Sequence, residues 1–149
     1  MIIGGPTYNK MIFQLLHEKL GLHWSEDFRG IMLIPDQKAT KNPLEQEDVV
    51  GAVGYNGFVG RVCCMHSYLP KPYEMTREFI IESFHYPFEI CNCVEIMGLV
   101  NSINHAARKL NARLGFEDKI VISDGAIDGD LIIMTLKKQD CKWLSRRRA

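Results

Sequence analysis

Apolar residues recur three to four positions apart at Met11, Ile12, Leu15, Leu16 and Leu20, between Pro6-Thr7 and Gly21. This period predicts an amphipathic helix with a start signal before it and a stop after it. Residues 28–34 form a mostly apolar run halted by Pro35-Asp36, which predicts a strand. The polar stretch 38–48, with Pro43 inside it, predicts a loop or hairpin end. Two β-like runs, 49–55 and 58–68, flank Asn56-Gly57, the strongest short-range hairpin signal. Leu69-Pro70-Lys71-Pro72 ends the second run, because proline cannot donate to a ladder.

From about Thr76, the residues Phe79, Ile80, Ser83 and Phe84 follow helical spacing until Pro87. Residues 91–100 are mostly apolar with one acid, Glu95, and predict an interior strand. Ser102 suits the N-cap of a helix carrying Ile103, Ala106, Ala107, Leu110 and Leu114 on one stripe, with Gly115 just past its end. Residues 120–123 and 131–136 predict two final strands, joined by a turn rich in Asp and Gly. The order is helix, three strands, helix, strand, helix, two strands. The strand-helix-strand unit over 58–100 needs a crossover and so implies parallel neighbours, while the outer pairs are hairpins. An α/β (α+β) fold with a mixed sheet follows.

Composition narrows the function classes. The 149 residues suit one domain, 1–149, and 46% hydrophobic with 24% charged residues fits a globular core. Lys plus Arg and Asp plus Glu each number 18, so no global field favours a polyanion, and a nucleic-acid partner is disfavoured. The run Arg146-Arg147-Arg148 reads as a solvated tail. No stretch is long and apolar enough for a membrane span, and Met1-Ile2-Ile3-Gly4-Gly5-Pro6 lacks the basic flank of a signal peptide, so a cytoplasmic protein without a membrane partner is expected.

Five cysteines, Cys63, Cys64, Cys91, Cys93 and Cys141, are an odd count for a disulfide framework. Their adjacent or alternate spacing inside apolar runs differs from zinc hooks on turns. No metal is expected, and reduced thiols filling small core spaces are.

The run Asn104-His105-Ala106-Ala107-Arg108-Lys109-Leu110-Asn111-Ala112-Arg113-Leu114-Gly115-Phe116 resembles the Asn-x-x-Ala helix ending in Leu-Gly-Phe of the GNAT superfamily of acyl-CoA-dependent N-acyltransferases. The element order matches that superfamily over nearly the whole chain. Met65-His66, Thr76-Arg77, Tyr86-Pro87-Phe88, Gly98-Leu99-Val100, Gly129-Asp130 and Cys141-Lys142-Trp143-Leu144 resemble a divergent branch found in tailed-phage and bacterial genomes. The resemblance implies a GNAT-like mixed sheet of about six or seven strands with helices on both faces. It also implies an acetyl-CoA-dependent N-acetyltransferase acting on a small-molecule or protein amine, in the host cytoplasm if phage-encoded.

Two departures from the superfamily pattern bear on chemistry. The segment Leu69-Pro70-Lys71-Pro72-Tyr73-Glu74-Met75-Thr76 has no glycine where a phosphate-binding loop is expected. A helix start near Thr76, with Met75, Lys71 and Arg77, would then have to supply the anion site, with Glu74 opposing it. Asn111 stands where superfamily enzymes often carry a tyrosine that protonates the leaving thiolate, and an amide has no useful acidity.

By resemblance, the strands over 58–68 and 91–100 splay apart to admit a pantetheine arm. Main-chain donors near Met65, His66 and Ser67, with Asn104 and Asn111 on the last helix, would hold it. Preorganised donors of this kind are worth about 3 to 4 kcal/mol in a transition state. His66 is the leading general-base candidate, because an imidazole titrates near working pH, with a ring packed on the sheet as the structural alternative. Glu95 is the second, since an acid in an apolar strand is costly unless paired or functional. A different class of reading is a catalytically silent protein of the same fold that binds a host protein or the virion. A homodimer is also compatible.

Overall fold

A computed structural model describes residues 1–69 and 76–147. Lys71, Met75 and the Pro70-Pro72 strand break lie outside the described residues, as does Arg148. The first helical period forms α1, Pro6–Leu20, opened by proline in its first turn and closed by Gly21 at φ 70°. Its stripe of Ile12, Leu15 and Leu16 is buried against Phe28, Met32, Ile34 and Ala52 on one face of the sheet. The other face carries α2, Arg77–His85, and α3, His105–Leu114, over a core of Phe79, Phe84, Leu114, Ile96 and Leu136. Helices on both faces are therefore found as expected.

The sheet has seven strands in the order β1-β2-β3-β4-β5-β7-β6. They are β1 Ile2–Gly4, β2 Arg29–Leu33, β3 Gly51–Val59, β4 Val62–Tyr68, β5 Glu95–Asn101, β6 Glu117–Ile122 and β7 Leu131–Lys137. All neighbours are antiparallel except β4 and β5, the predicted parallel pair. The strand at Ile2–Gly4 has no counterpart in the sequence reading. Three residues running into Gly5-Pro6 carry no alternation, and the partner of Ile2, Leu33, lies far along the chain.

Four expectations change. Asn56-Gly57 does not make the hairpin turn: β3 runs on to Val59, and the turn is Gly60-Arg61, with Gly60 at φ 57°. Asn56-Gly57 instead opens a bulge, across which the register shifts by one residue, with Gly57 at φ 63°. Positive φ at glycine serves a turn or a bulge equally, which is why the dipeptide misleads.

α2 ends at His85, just before Pro87, but the chain stays helical beyond it. The chain widens into a π turn, Tyr86–Ile90, in which the Cys91 N–H donates to the Tyr86 carbonyl. The strand expected from residue 91 starts at Glu95.

Asn104, not Ser102, caps α3, accepting from the Ala107 N–H at 3.1 Å, while the Ser102 hydroxyl accepts from the Asp130 N–H at 2.9 Å. The helix therefore begins later, and its inward stripe is Ala107, Leu110 and Leu114, with Ile103 and Ala106 exposed. Trp143, in the chain after β7, packs between the helices. Its indole N–H donates to the Leu114 carbonyl at 3.0 Å, and its ring stacks on Phe84, between α2 and the end of α3.

All five cysteines are free, and Cys63, Cys93 and Cys141 are in the core, where burial pushes the Cys63 thiol far up. Among the described residues no helix is long and apolar enough to cross a membrane.

Candidate active site

The parallel seam sets the geometry. β4 and β5 pair over only three positions, Val62↔Glu95, Cys63↔Ile96 and Cys64↔Met97. Beyond them β4 stays with β3 as far as Tyr68, and β5 stays with β7 as far as Asn101. Each strand follows its antiparallel partner and the right-handed twist carries the two apart. The main chain of Met65, His66 and Ser67 thus faces that of Gly98, Leu99 and Val100 across an opening rather than a ladder.

A cleft of about 290 Å³ occupies this opening. Met65, His66 and Ser67 form one wall, and Gly98, Leu99, Val100 and Asn101 the other. Asn104, Ala107, Leu110 and Asn111 of α3 line one side, and Leu20 at the end of α1 lines the opposite side. Side chains alternate along a strand. Because Cys63 and Met65 pack in the core under α2 and α3, Cys64, His66 and Tyr68 point to the α1 face. The cleft therefore passes through the sheet from α3 to α1, with His66 at its α1 side.

His66 is half-buried, and its Nε2 lies 2.8 Å from Oδ1 of Asn56 on β3. Burial pushes its pKa below the ordinary value of 6.5, since desolvation disfavours the imidazolium. The neutral ring, the form able to accept a proton, is therefore the resting form at pH 7. No Asp, Glu, Lys or Arg lines the cleft among the described residues. Its polar groups are the serine, the three asparagines, His66 and main chain.

The sequence-predicted residues divide. Met65, His66, Ser67, Asn104 and Asn111 meet in the cleft. The Asn104 side chain is engaged in capping α3, and the Asn111 amide lies over Gly98 and donates weakly to the Met134 sulfur at 3.8 Å. Thr76 caps α2, its hydroxyl oxygen accepting from the Phe79 N–H at 3.1 Å. Arg77 is exposed in the first turn of α2, in a groove with Arg146 and Arg147 rather than in the cleft.

Glu95 is not brought to His66. It sits at the closed end of the seam opposite Val62, four positions short of His66, or roughly 13 Å along the strand. Its carboxylate is 3.9 Å from the Lys119 ammonium, which satisfies the acid that sequence singles out.

Sequence reasoning misses Leu20, Asn101 and Asn56. Leu20 continues the α1 stripe by period yet is 48% exposed, at the mouth of the cleft. Asn56 is hidden by its place in an apparent turn.

No family model matches the chain, and no curated protein matches it by sequence. Solved structures do. The F149A mutant of spermidine N-acetyltransferase SpeG from Vibrio cholerae superposes with TM-score 0.71 at 17% identity, covering 98% of this chain and 98% of that one. A chimera of that enzyme with hSSAT gives TM-score 0.72 at 16% identity, covering 97% and 99%. A dodecameric form from Vibrio cholerae gives 0.70 at 17% identity, covering 99% and 98%. The chain has the fold of these N-acetyltransferases over its length, which is the GNAT-like fold expected from sequence.

Proposed function

We propose that this protein is an acetyl-CoA-dependent N-acetyltransferase acting on an amine. The observation that carries this reading is the seam that opens after Cys64↔Met97 and presents His66 together with unpaired main chain in one cleft. The shared fold with spermidine N-acetyltransferases supports it, and supports an amine as acceptor. The neutral, amide-rich lining fits an uncharged pantetheine arm, whose own amides match main-chain donors and acceptors left free by the splay. The anionic end of the cofactor would fall to the α2 start near Thr76 and Arg77, with Lys71 and Met75 of the preceding segment.

Acetyl-CoA supplies an activated thioester, whose C–S bond breaks as the amine N–C bond forms. His66 takes the proton shed by the amine nitrogen. Main-chain N–H groups of the stretch from Met65 to Ser67 that face the opening, alternate ones along the strand, stabilise the charge that develops on the carbonyl oxygen. Because Asn111 is no acid, the proton reaches the departing thiolate through solvent from His66. Glu95, bound to Lys119 at the closed end, takes no part in this scheme. The dodecameric neighbour supports self-association, and a homodimer is the simplest form of it. A cytoplasmic setting accompanies this reading.

The glycine-free segment before α2 and the amide at Asn111 favour a second reading, a silent protein of this fold that binds a host or virion protein. Thermal unfolding with acetyl-CoA separates the two. Ligand at one hundred times its Kd adds about 2.7 kcal/mol, or about 5 to 10 °C in Tm for a chain of this size. Release of CoA thiol with spermidine and a panel of other amines then tests turnover. No shift at millimolar acetyl-CoA overturns the enzyme reading.

A further inference from the structure

The bulge in β3 has a purpose beyond shape. Asn56 is paired with Cys64, and the extra residue that follows is held from outside the hairpin. The carboxylate of Asp27 accepts from the Phe58 N–H at 2.8 Å and from the Ser25 hydroxyl at 2.8 Å. Burial works to raise the Asp27 pKa, but these donors outweigh it and hold the group below its ordinary value. The charged form thus clamps the Phe58 amide of the bulge, two residues after Asn56. The Asn56 side chain reaches diagonally along β4 to His66.

We infer that Asn56 is a positioning residue that fixes His66 in the Nε2–H tautomer and so delivers a basic Nδ1. An amide oxygen only accepts, so the contact between Oδ1 and Nε2 requires the proton on Nε2. Nδ1 makes no hydrogen bond among the described residues and keeps its lone pair. The orienting group of a general base acts in this way, choosing which nitrogen takes the proton. The catalytic consequence rests on the acetyltransferase reading above, whereas the tautomer itself does not.

Ionisable groups on the elements around His66 include Cys64 and Tyr68 of β4, Tyr55 of β3, His17, Glu18 and Lys19 of α1, Asp27 before β2, and His105, Arg108, Lys109 and Arg113 of α3. None of them shifts the imidazole, for which burial is the cause. A carboxylate introduced at position 56 would therefore be the one strong charge acting on the ring.

The test is nitrogen NMR of the full chain with labelled histidine, assigning His66 among the five histidines by its loss in His66→Gln. At neutral pH the wild type should show a protonated Nε2 and an unprotonated Nδ1. Asn56→Ala should mix the tautomers, and Asn56→Asp should keep Nε2–H while raising the imidazole pKa by the opposite charge. With spermidine as the probe amine, Asn56→Ala should lose about ten-fold in kcat, the weight of one hydrogen bond, with KM for acetyl-CoA unchanged. A proton on Nδ1 in the wild type overturns the inference, as does an unaltered single tautomer in Asn56→Ala. Should Asn56→Ala fail to fold, the wild-type spectrum and the Asn56→Asp titration decide it. If acetyl-CoA does not bind but the tautomer behaves as stated, the acetyltransferase reading fails and the Asn56 pairing stands.

Discussion

The Tyr55 hydroxyl donates to the main-chain carbonyl of Ser83 at 2.6 Å, both being buried. In a regular α-helix that carbonyl would accept from the N–H four residues on, but position 87 is proline and has none. Tyr55 on β3 thus satisfies the acceptor left over by Pro87 and fastens the end of α2 to the centre of the sheet. Burial also raises the phenol pKa well above its ordinary value, so the donor is not lost at alkaline pH.

Tyr55→Phe keeps the ring and removes only the donor. A buried carbonyl left unpaired costs about 1 to 3 kcal/mol. Urea unfolding should show the midpoint lowered by that amount with the slope unchanged. An unaltered midpoint would mean that another donor replaces the hydroxyl.

Gly54 lies opposite His66 on the α1 face, and a Cβ there would stand 2.5 Å from Phe28 Cε2 and 2.6 Å from Leu16 Cδ1. Both are core side chains with no room to withdraw. Gly54→Ala should cost about 1 to 3 kcal/mol by overpacking, read as a lower Tm. A Tm equal to wild type would show that α1 can lift from the sheet at no cost.

Asp48 has a side chain only 2% exposed, 2.7 Å from the Lys41 ammonium, and it also accepts from the Glu45 N–H at 2.8 Å. These two partners hold its carboxyl below the ordinary 3.8. A lowered folded value means that the stabilisation is complete above the unfolded pKa and is lost as pH falls through the folded one. Tm should decline below about pH 4, and less steeply in Asp48→Asn. Parallel Tm profiles for the two proteins from pH 7 to pH 2 would contradict this.

His66→Ala should lower kcat by about 10² to 10⁴ while acetyl-CoA still raises Tm. Burial lowers the imidazole pKa, so the basic form is present at pH 6.5 and is lost only as pH falls further. The acidic limb of kcat/KM, followed by CoA release, should therefore lie below 6.5. A limb above that value would point to a different base.

Legibility in the sequence followed the range of the forces involved. The α1 stripe rests on local periodicity and the parallel partnership of β4 and β5 on the crossover that the intervening helix demands, and both hold. Asn56-Gly57 misled because a bulge and a turn ask the same φ of glycine, and only Asp27, thirty residues earlier, decides between them. Glu95 stood out as a lone acid, yet its partner Lys119 comes from β6, across β7. Of the site, the wall carrying Met65, His66 and Ser67 and the asparagines of α3 could be placed by resemblance. Leu20 and Asn56 could not, because each contributes through tertiary placement rather than through a motif.

The short seam gives the molecule an unusual mechanical character. With three residue pairs joining β4 to β5, the sheet is two half-sheets held together only between Val62↔Glu95 and Cys64↔Met97. Widening the mouth breaks no strand pairing, since none exists past Met97, whereas closing it is limited by whatever fills the gap between Ser67 and Val100. The twist of the two half-sheets therefore sets the resting width, and a bound chain in the gap would act as the missing strand that turns two half-sheets into one.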